Sequence, residues 1–466
     1  MSKSSVLLLS ADPPGLRAGG GIRTYHVAKA LAAQTNLTLA VLLPGDKREI
    51  PDDLAERCET IYQTEKNFLA NTGRRNSGYP KVMTRLIPWL LGPHELLIQA
   101  RRYCATRPEH QAKLSIFKRL ALTAYRTLLE IQLLIAYRLF NLPPSRTADR
   151  MQEFQYLLPK LKEKYPADSF DAIWIEHSFL FPFVPALRTH FGLVPVICNA
   201  HNVEYDYHRR MAGMMQTASA RRWWLRQSKV MQRYEARGFT QAALTFCCSH
   251  DDLRLIKKIS PSARVEVLPN GVDTTHFINT YARSNEPSLV FTGGMGYAPN
   301  QDAVEYFAGE ILPLIREAFP DCRFIVAGSS ATGRFTKWEN KDPLFVVASD
   351  LPDIRPYIGK AWVVVVPLRV GSGTRLKILE AMAMEKAIVS TPIGAEGMEH
   401  SDGVNIILAE FPRTFADAVI TLIRSPEDCR RMGERARELV RENNEWQVLC
   451  IHAMSTISKH IFTGTA

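Results

Sequence analysis

Residues 361–383 read AWVVVVPLRVGSGTRLKILEAMA. The first eight are too short and too rich in valine for a helix and are apolar on both faces, the pattern of a parallel strand covered by helices on each side. From Gly371 a glycine-containing loop runs straight into a helix that opens around residues 374–377. The first N–H groups of a helix lack partners within it and carry the positive end of its dipole, so this junction suits an anion. Arg375 and Lys377 add full positive charge in a turn where acidic residues complement the dipole better. A strand, loop and helix with solvated cations would also fit, but the inverted charge points to a bound diphosphate.

The same rhythm extends in both directions. Short apolar runs at 264–268, 288–293, 323–328, 344–348, 386–391 and 405–408 accompany 361–368 in the second half, and runs at 5–10, 37–43, 171–177, 194–201 and 244–249 fill the first. Helical patterns such as 25–34 separate them, which reads as repeated βα units. The expected fold is therefore α/β: two doubly wound, Rossmann-like domains facing a cleft, with ligand loops at the carboxyl ends of the strands. The domains are placed at 1–265 and 266–440, with a turn at Asn270-Gly271, and the last segment, 441–466, is helical. Between about 80 and 165 the strand rhythm stops and a helical insertion is expected.

Three further features sit near the junction. Glu380 follows Arg375 within the helix, Gly394-Ala395-Glu396-Gly397 follows the next strand, and 290–296 (VFTGGMG) runs a strand into Gly293-Gly294, whose missing side chains let backbone approach a phosphate. Together these resemble the donor site of retaining glycosyltransferases of the glycogen-synthase-like family, family 4, which have the GT-B fold. The likeness is greatest to sugar transferases of bacterial exopolysaccharide loci. It covers 5–43 and 171–462.

The resemblance implies a set of roles. Ser372, Gly373, Thr374, Arg375 and Lys377 would hold the donor diphosphate with Gly293 and Gly294, and Glu380 matches the family's second motif glutamate, which binds the ribose hydroxyls. The first motif glutamate is replaced by Ser372, and the usual Arg and Lys after the strand at 288–293 are missing, so Arg375 and Lys377 are expected to supply that charge. Gly19, Gly20 and Gly21, which follow the first strand, match the loop bordering acceptor and donor phosphates, with Arg23 as the nearest cation. His201, at the end of a strand, matches the catalytic-site histidine that contacts the donor sugar; His177 and Glu204 are weaker candidates for orienting an acceptor. The sequence LPNGVDTTHF at 268–277 would open the second domain. The last helix would cross back to the first domain, with Trp446 at the crossing. The implied reaction moves one sugar from a nucleotide-diphosphate sugar, with retention, to a glycan or lipid-linked acceptor.

Composition narrows the remaining choices. At 466 residues, with 46% hydrophobic and 9% aromatic content, the chain suits two or three soluble domains. Its eight cysteines show no C-x-x-C or zinc-like His spacing, which reads as reduced thiols in a cytoplasmic protein, with no metal and no cofactor beyond the nucleotide sugar. No signal peptide or membrane span is expected. The net charge of +11 calls for an acidic partner. Nucleic acid is disfavoured because no basic or aromatic recognition motif is present. Peripheral contact with an anionic inner membrane remains open: 118–140 reads as a core helix or a membrane-surface one, and 221–226 (RRWWLR) fits an interfacial segment and a packed amphipathic helix equally. Two other functions share these features: a nucleotide-sugar epimerase, and a silent nucleotide-sugar sensor suggested by Ser372.

Overall fold

The computed structural model describes residues 3–15, 19–42, 50–63, 147, 150–215, 217–371 and 375–462. Thirteen described strands form two sheets. The first holds β1 (Ser5–Ser10), β2 (Asn36–Val41), β3 (Thr60–Gln63), β4 (Ala172–Glu176), β5 (Val196–Ala200), β6 (Leu244–Cys247) and β7 (Val265–Val267), in the order β3-β2-β1-β4-β5-β6-β7. The second holds β8 (Ser288–Thr292), β9 (Arg323–Gly328), β10 (Phe345–Ser349), β11 (Val363–Val366), β12 (Ala387–Ser390) and β13 (Ile407–Leu408), in the order β10-β9-β8-β11-β12-β13. Every ladder between these strands is parallel. In each sheet the order reverses beside the first strand, between β1 and β4 and between β8 and β11, and a crevice opens at the carboxyl ends there.

The helices that shape the cleft are α1 (Gly19–Gln34), α2 (Met151–Lys164), α3 (Glu204–Gly213), α4 (Ala218–Gln241), α5 (Ala298–Tyr306), α6 (Leu376–Ala383), α7 (Pro426–Asn443) and α8 (Trp446–Ile457). All four valines of β11 are buried, as are all residues of β4 and β5, because helices cover both faces of each sheet. Apolar clusters fill both sides of the first sheet, and one large cluster surrounds the second.

Two sequence expectations are corrected. Residues 264–268 were expected to begin the second half, with the first domain ending at 265; instead β7 pairs with β6, Thr245 opposite Val265 and Cys247 opposite Val267, as the edge of the first sheet. A run this short carries no mark of which sheet it joins, because the ladder, not the side-chain pattern, makes that choice. The insertion was expected to reach 165, yet α2 places Phe154, Leu157 and Leu161 in the core of the first domain, with Phe154 stacked 4.3 Å from Phe183. The earlier part of that insertion, including 118–140, lies outside the described residues.

The chain leaves the first sheet after Leu268 and returns through residues 444–446. These two crossings hold each other: Val272 N donates to Asn444 O (2.8 Å), Asn444 Nδ2 to Asn270 O (2.9 Å), and Thr274 N and Oγ1 to the Glu445 carboxylate (3.1 and 2.6 Å). Gly271 is required there, since a Cβ would lie 2.6 Å from the Trp446 ring. Past the crossing, α8 packs on α1, with Trp446 stacked on His26 at 4.7 Å and 10°.

Candidate functional site

The second sheet supplies a cationic wall. β8 is followed directly by Gly293, whose φ of 147° is strained for any side chain, and a Cβ there would meet Asn300 Nδ2 at 2.8 Å and Lys377 Nζ at 2.9 Å. Lys377, in the first turn of α6, donates to Asn300 Oδ1 (2.9 Å) and stands 3.8 Å over the Phe291 ring, while Asn300 Nδ2 donates to Gly294 O (2.9 Å). Asn300 thus fixes the ammonium to the glycine loop. Arg375, immediately before α6, is 8% exposed and folds back over Gly371, where a Cβ would lie 2.5 Å from its Nη2. Burial lowers the pKa of both cations, and Arg375 lowers that of Lys377 further. Two like charges held in poor solvent beside glycine loops favour a bound anion, which would offset their desolvation and mutual repulsion and raise both pKa values again.

Glu380, one turn further along α6, is partly buried, and desolvation raises its carboxyl to about 7, moderated by Lys377. Ser372, Gly373 and Thr374 lie outside the described residues.

The first sheet supplies the facing wall. Gly19, Gly20 and Gly21 do not form a loop ahead of the helix as expected: they are the first turn of α1. Their small size serves close approach, since a Cβ on Gly20 would lie 3.5 Å from His201 Nδ1 and one on Gly21 would lie 3.1 Å from Pro13 O. His201, directly after β5, and His177, directly after β4, are both nearly buried, with ring centroids 3.9 Å apart. His177 adopts φ 81°, a conformation costly for a residue with a Cβ and most often retained where a site demands it.

Behind His201 lies a residue that sequence reasoning missed. Glu176, the last residue of β4, is fully buried and accepts from His201 Nε2 (2.5 Å), Trp174 Nε1 (2.6 Å), Thr24 Oγ1 (3.2 Å) and Asn199 Nδ2 (3.0 Å). Burial alone would raise its pKa, but hydrogen bonds from His201, Asn199 and Trp174 outweigh that and hold it below the usual carboxylate range. The visible signal was an acid inside an otherwise apolar strand.

Arg23 is corrected. It was expected to be free to meet phosphate, but it is 1% exposed: Nε and Nη2 donate to Asn199 Oδ1 (3.0 and 2.7 Å), and Nη1 donates to Leu268 O (2.9 Å), Pro269 O (3.1 Å) and Asn270 Oδ1 (3.1 Å). It fastens α1 to the crossing between the domains. Glu204 is fully buried as the first residue of α3, and its N–H and that of Tyr205 donate to Glu235 (2.8 and 2.9 Å).

The structure therefore brings His201, His177 and the α1 glycines together on one wall, and Gly293, Arg375, Lys377 and Glu380 together on the other. Among the described residues no helix is long and apolar enough to cross a membrane, and no cluster of His, Cys, Asp and Glu suits a metal ion.

Two doubly wound parallel sheets with this cationic strand-to-helix junction define a glycosyltransferase of the GT-B fold. Residues 286–425 match the family described as glycosyl transferases group 1, and residues 94–276 match glycosyltransferase family 4. The chain is a glycosyltransferase of the family 4 type. Its fold is similar to that of sucrose-phosphate synthase from Thermosynechococcus elongatus (14% identity, TM-score 0.64, covering 99% of this chain and 100% of that one). It is also similar to HepE of Anabaena, solved in complex with UDP-glucose (11% identity, TM-score 0.58, covering 98% and 100%). Among curated proteins it resembles an uncharacterized 44.6 kDa protein in the cps region of Klebsiella pneumoniae, 23% identical over 164 residues. That match covers 34% of this chain and 42% of the relative, less than half the length of the curated protein.

Proposed function

We propose that this protein transfers a sugar, with retention at the anomeric carbon, from a nucleotide-diphosphate sugar to a glycan or lipid-linked acceptor during cell-surface polysaccharide synthesis. The observation that carries this reading is the convergence of Arg375 and Lys377 on the glycine turns at Gly371 and Gly293. There they would neutralise the leaving diphosphate, which is where charge develops as the glycosidic bond breaks. Glu380 would accept from the ribose hydroxyls. His201, held by Glu176, would meet the sugar from the opposite wall. Retention follows if the acceptor hydroxyl enters on the face the diphosphate leaves, a route that needs charge stabilisation rather than a protein nucleophile. The similarity to a protein of a cps region supports the polysaccharide assignment.

The reading includes a cytoplasmic enzyme docked on the anionic inner membrane. α4 supports it. Arg221, Arg222, Lys229, Arg233 and Arg237 are exposed on one side with Leu225, Arg226 is partly exposed, and the only acid of the helix, Glu235, is buried beneath. Cosedimentation with phosphatidylglycerol vesicles, absent with phosphatidylcholine and lost in Arg222→Glu/Lys229→Glu, tests that part.

Nucleotide release from a panel of nucleotide sugars beginning with UDP-glucose, with and without glycan acceptors, tests the transfer. Release that requires an acceptor supports it; isomerised donor without acceptor would instead indicate an epimerase. Donor binding with no turnover would favour a silent sensor, the reading that Ser372 in the place of an acid motivates.

A further inference from the structure

Arg210 spans the two domains. It lies on α3 of the first, yet Nη1 and Nη2 donate to the two carboxylate oxygens of Glu396 (2.5 and 2.7 Å), and Nη1 also donates to Gly371 O (3.2 Å). Its plane is set in advance from its own helix, because Asp206, four residues earlier and 2% exposed, accepts from Nε at 2.6 Å. The amino end of α3 is in turn anchored to α4 through Glu235. Glu396 is equally fixed. It sits on the turn after β12, where Gly394 is packed so closely that a Cβ would lie 2.3 Å from Ser390 Oγ and 2.7 Å from Val366 O. The hydrogen bond to Glu396, with Asp206 behind it, raises the Arg210 pKa. The fork is therefore a charge-assisted, bidentate contact between two preset partners.

Both of its contacts across the cleft fall on the donor wall. Gly371 begins the loop that leads to Arg375, and Glu396 belongs to the loop that follows the neighbouring strand. We infer that Arg210 is a positioning residue for transfer: it latches the first domain onto Gly371 and the Glu396 turn, so that these two points of the donor wall are held in place only with the cleft shut. The pair forms when the walls meet and is lost when they part, which couples closure to the geometry around the leaving group. This inference rests on the transfer reading above.

The test has one arm without substrate and one with it. In the unliganded full chain, Arg210→Gln and Glu396→Gln are each expected to speed amide exchange of peptides covering 368–384 by about fivefold or more, and the double variant no further than the single ones, as for two residues of one contact. Unchanged exchange there, or changes confined to α3, would overturn the latch; additive effects would do the same. In the nucleotide-release assay with the donor that wild type turns over, both single variants are expected to lower kcat about tenfold, with the acceptor KM and the melting temperature unchanged and Arg210→Lys recovering part of the loss. A latch seen by exchange in a protein that transfers no sugar would refute the transfer reading and leave the latch standing. Transfer with unaltered kcat in both variants would refute the positioning role.

Discussion

His201 Nε2 stands 2.5 Å from Glu176 Oε2, and the same carboxylate accepts from Asn199, whose own oxygen accepts from Arg23. A histidine on the cleft wall is thus tied through three buried side chains, Glu176, Asn199 and Arg23, to the segment that joins the domains. The carboxylate orients the ring and leaves its Nδ1 side toward the first turn of α1.

Replacing that carboxylate should disturb chemistry before it disturbs the fold. Glu176→Gln keeps the shape but puts an amide donor among donors, so kcat/KM is expected to fall about tenfold or more, with a far-ultraviolet circular dichroism spectrum like that of wild type. Steady-state nucleotide release measures it; wild-type kinetics would show that the ring needs no anchor.

The cationic wall makes a comparison between two arginines. Arg375→Ala should weaken nucleotide-sugar binding about tenfold or more, while Arg226→Ala, on α4 away from the junction, should change it less than about twofold. Calorimetric titration decides between them, and equal effects would remove the diphosphate role of Arg375.

Arg23 is expected to matter for stability rather than for donor affinity. Arg23→Ala leaves the Asn199 side chain and the carbonyls of Leu268 and Pro269 without their donor, at a cost of about 3 kcal/mol. Denaturant unfolding should show the loss; a large change in nucleotide affinity without it would return Arg23 to the phosphate site.

Glu235 gives a dependence on pH. Burial, which Ser178 and the Tyr205 N–H moderate, raises its carboxyl to about 8, far above its value in the unfolded chain. A raised pKa means that the folded state holds the proton more tightly. The stabilisation is therefore complete below the ordinary carboxyl range and drains away as pH climbs through about 8. The melting temperature of wild type is expected to drop from pH 5 to pH 9, and that of Glu235→Gln to stay flatter; parallel curves would count against this assignment.

Much of the molecule was legible in the chain because the relevant information is local. Strand length, valine content and the loop-to-helix spacing at 361–383 identify a doubly wound fold and place Arg375, Lys377 and Glu380 at one junction, since a helix dipole and a glycine turn act over a few residues. His201 was placed at a strand's carboxyl end for the same reason, as the residue at which an apolar run stops. The tertiary structure decided what depends on distant partners. Arg23 meets Asn199 across 176 residues and Arg210 meets Glu396 across 186, so neither pairing leaves a mark in the spacing of the sequence. The same holds for Glu176 beneath His201 and for β7 at the edge of the first sheet. Their roles follow from which groups folding removes from water together, and a buried charge or an open strand edge takes whichever partner the packing brings within reach.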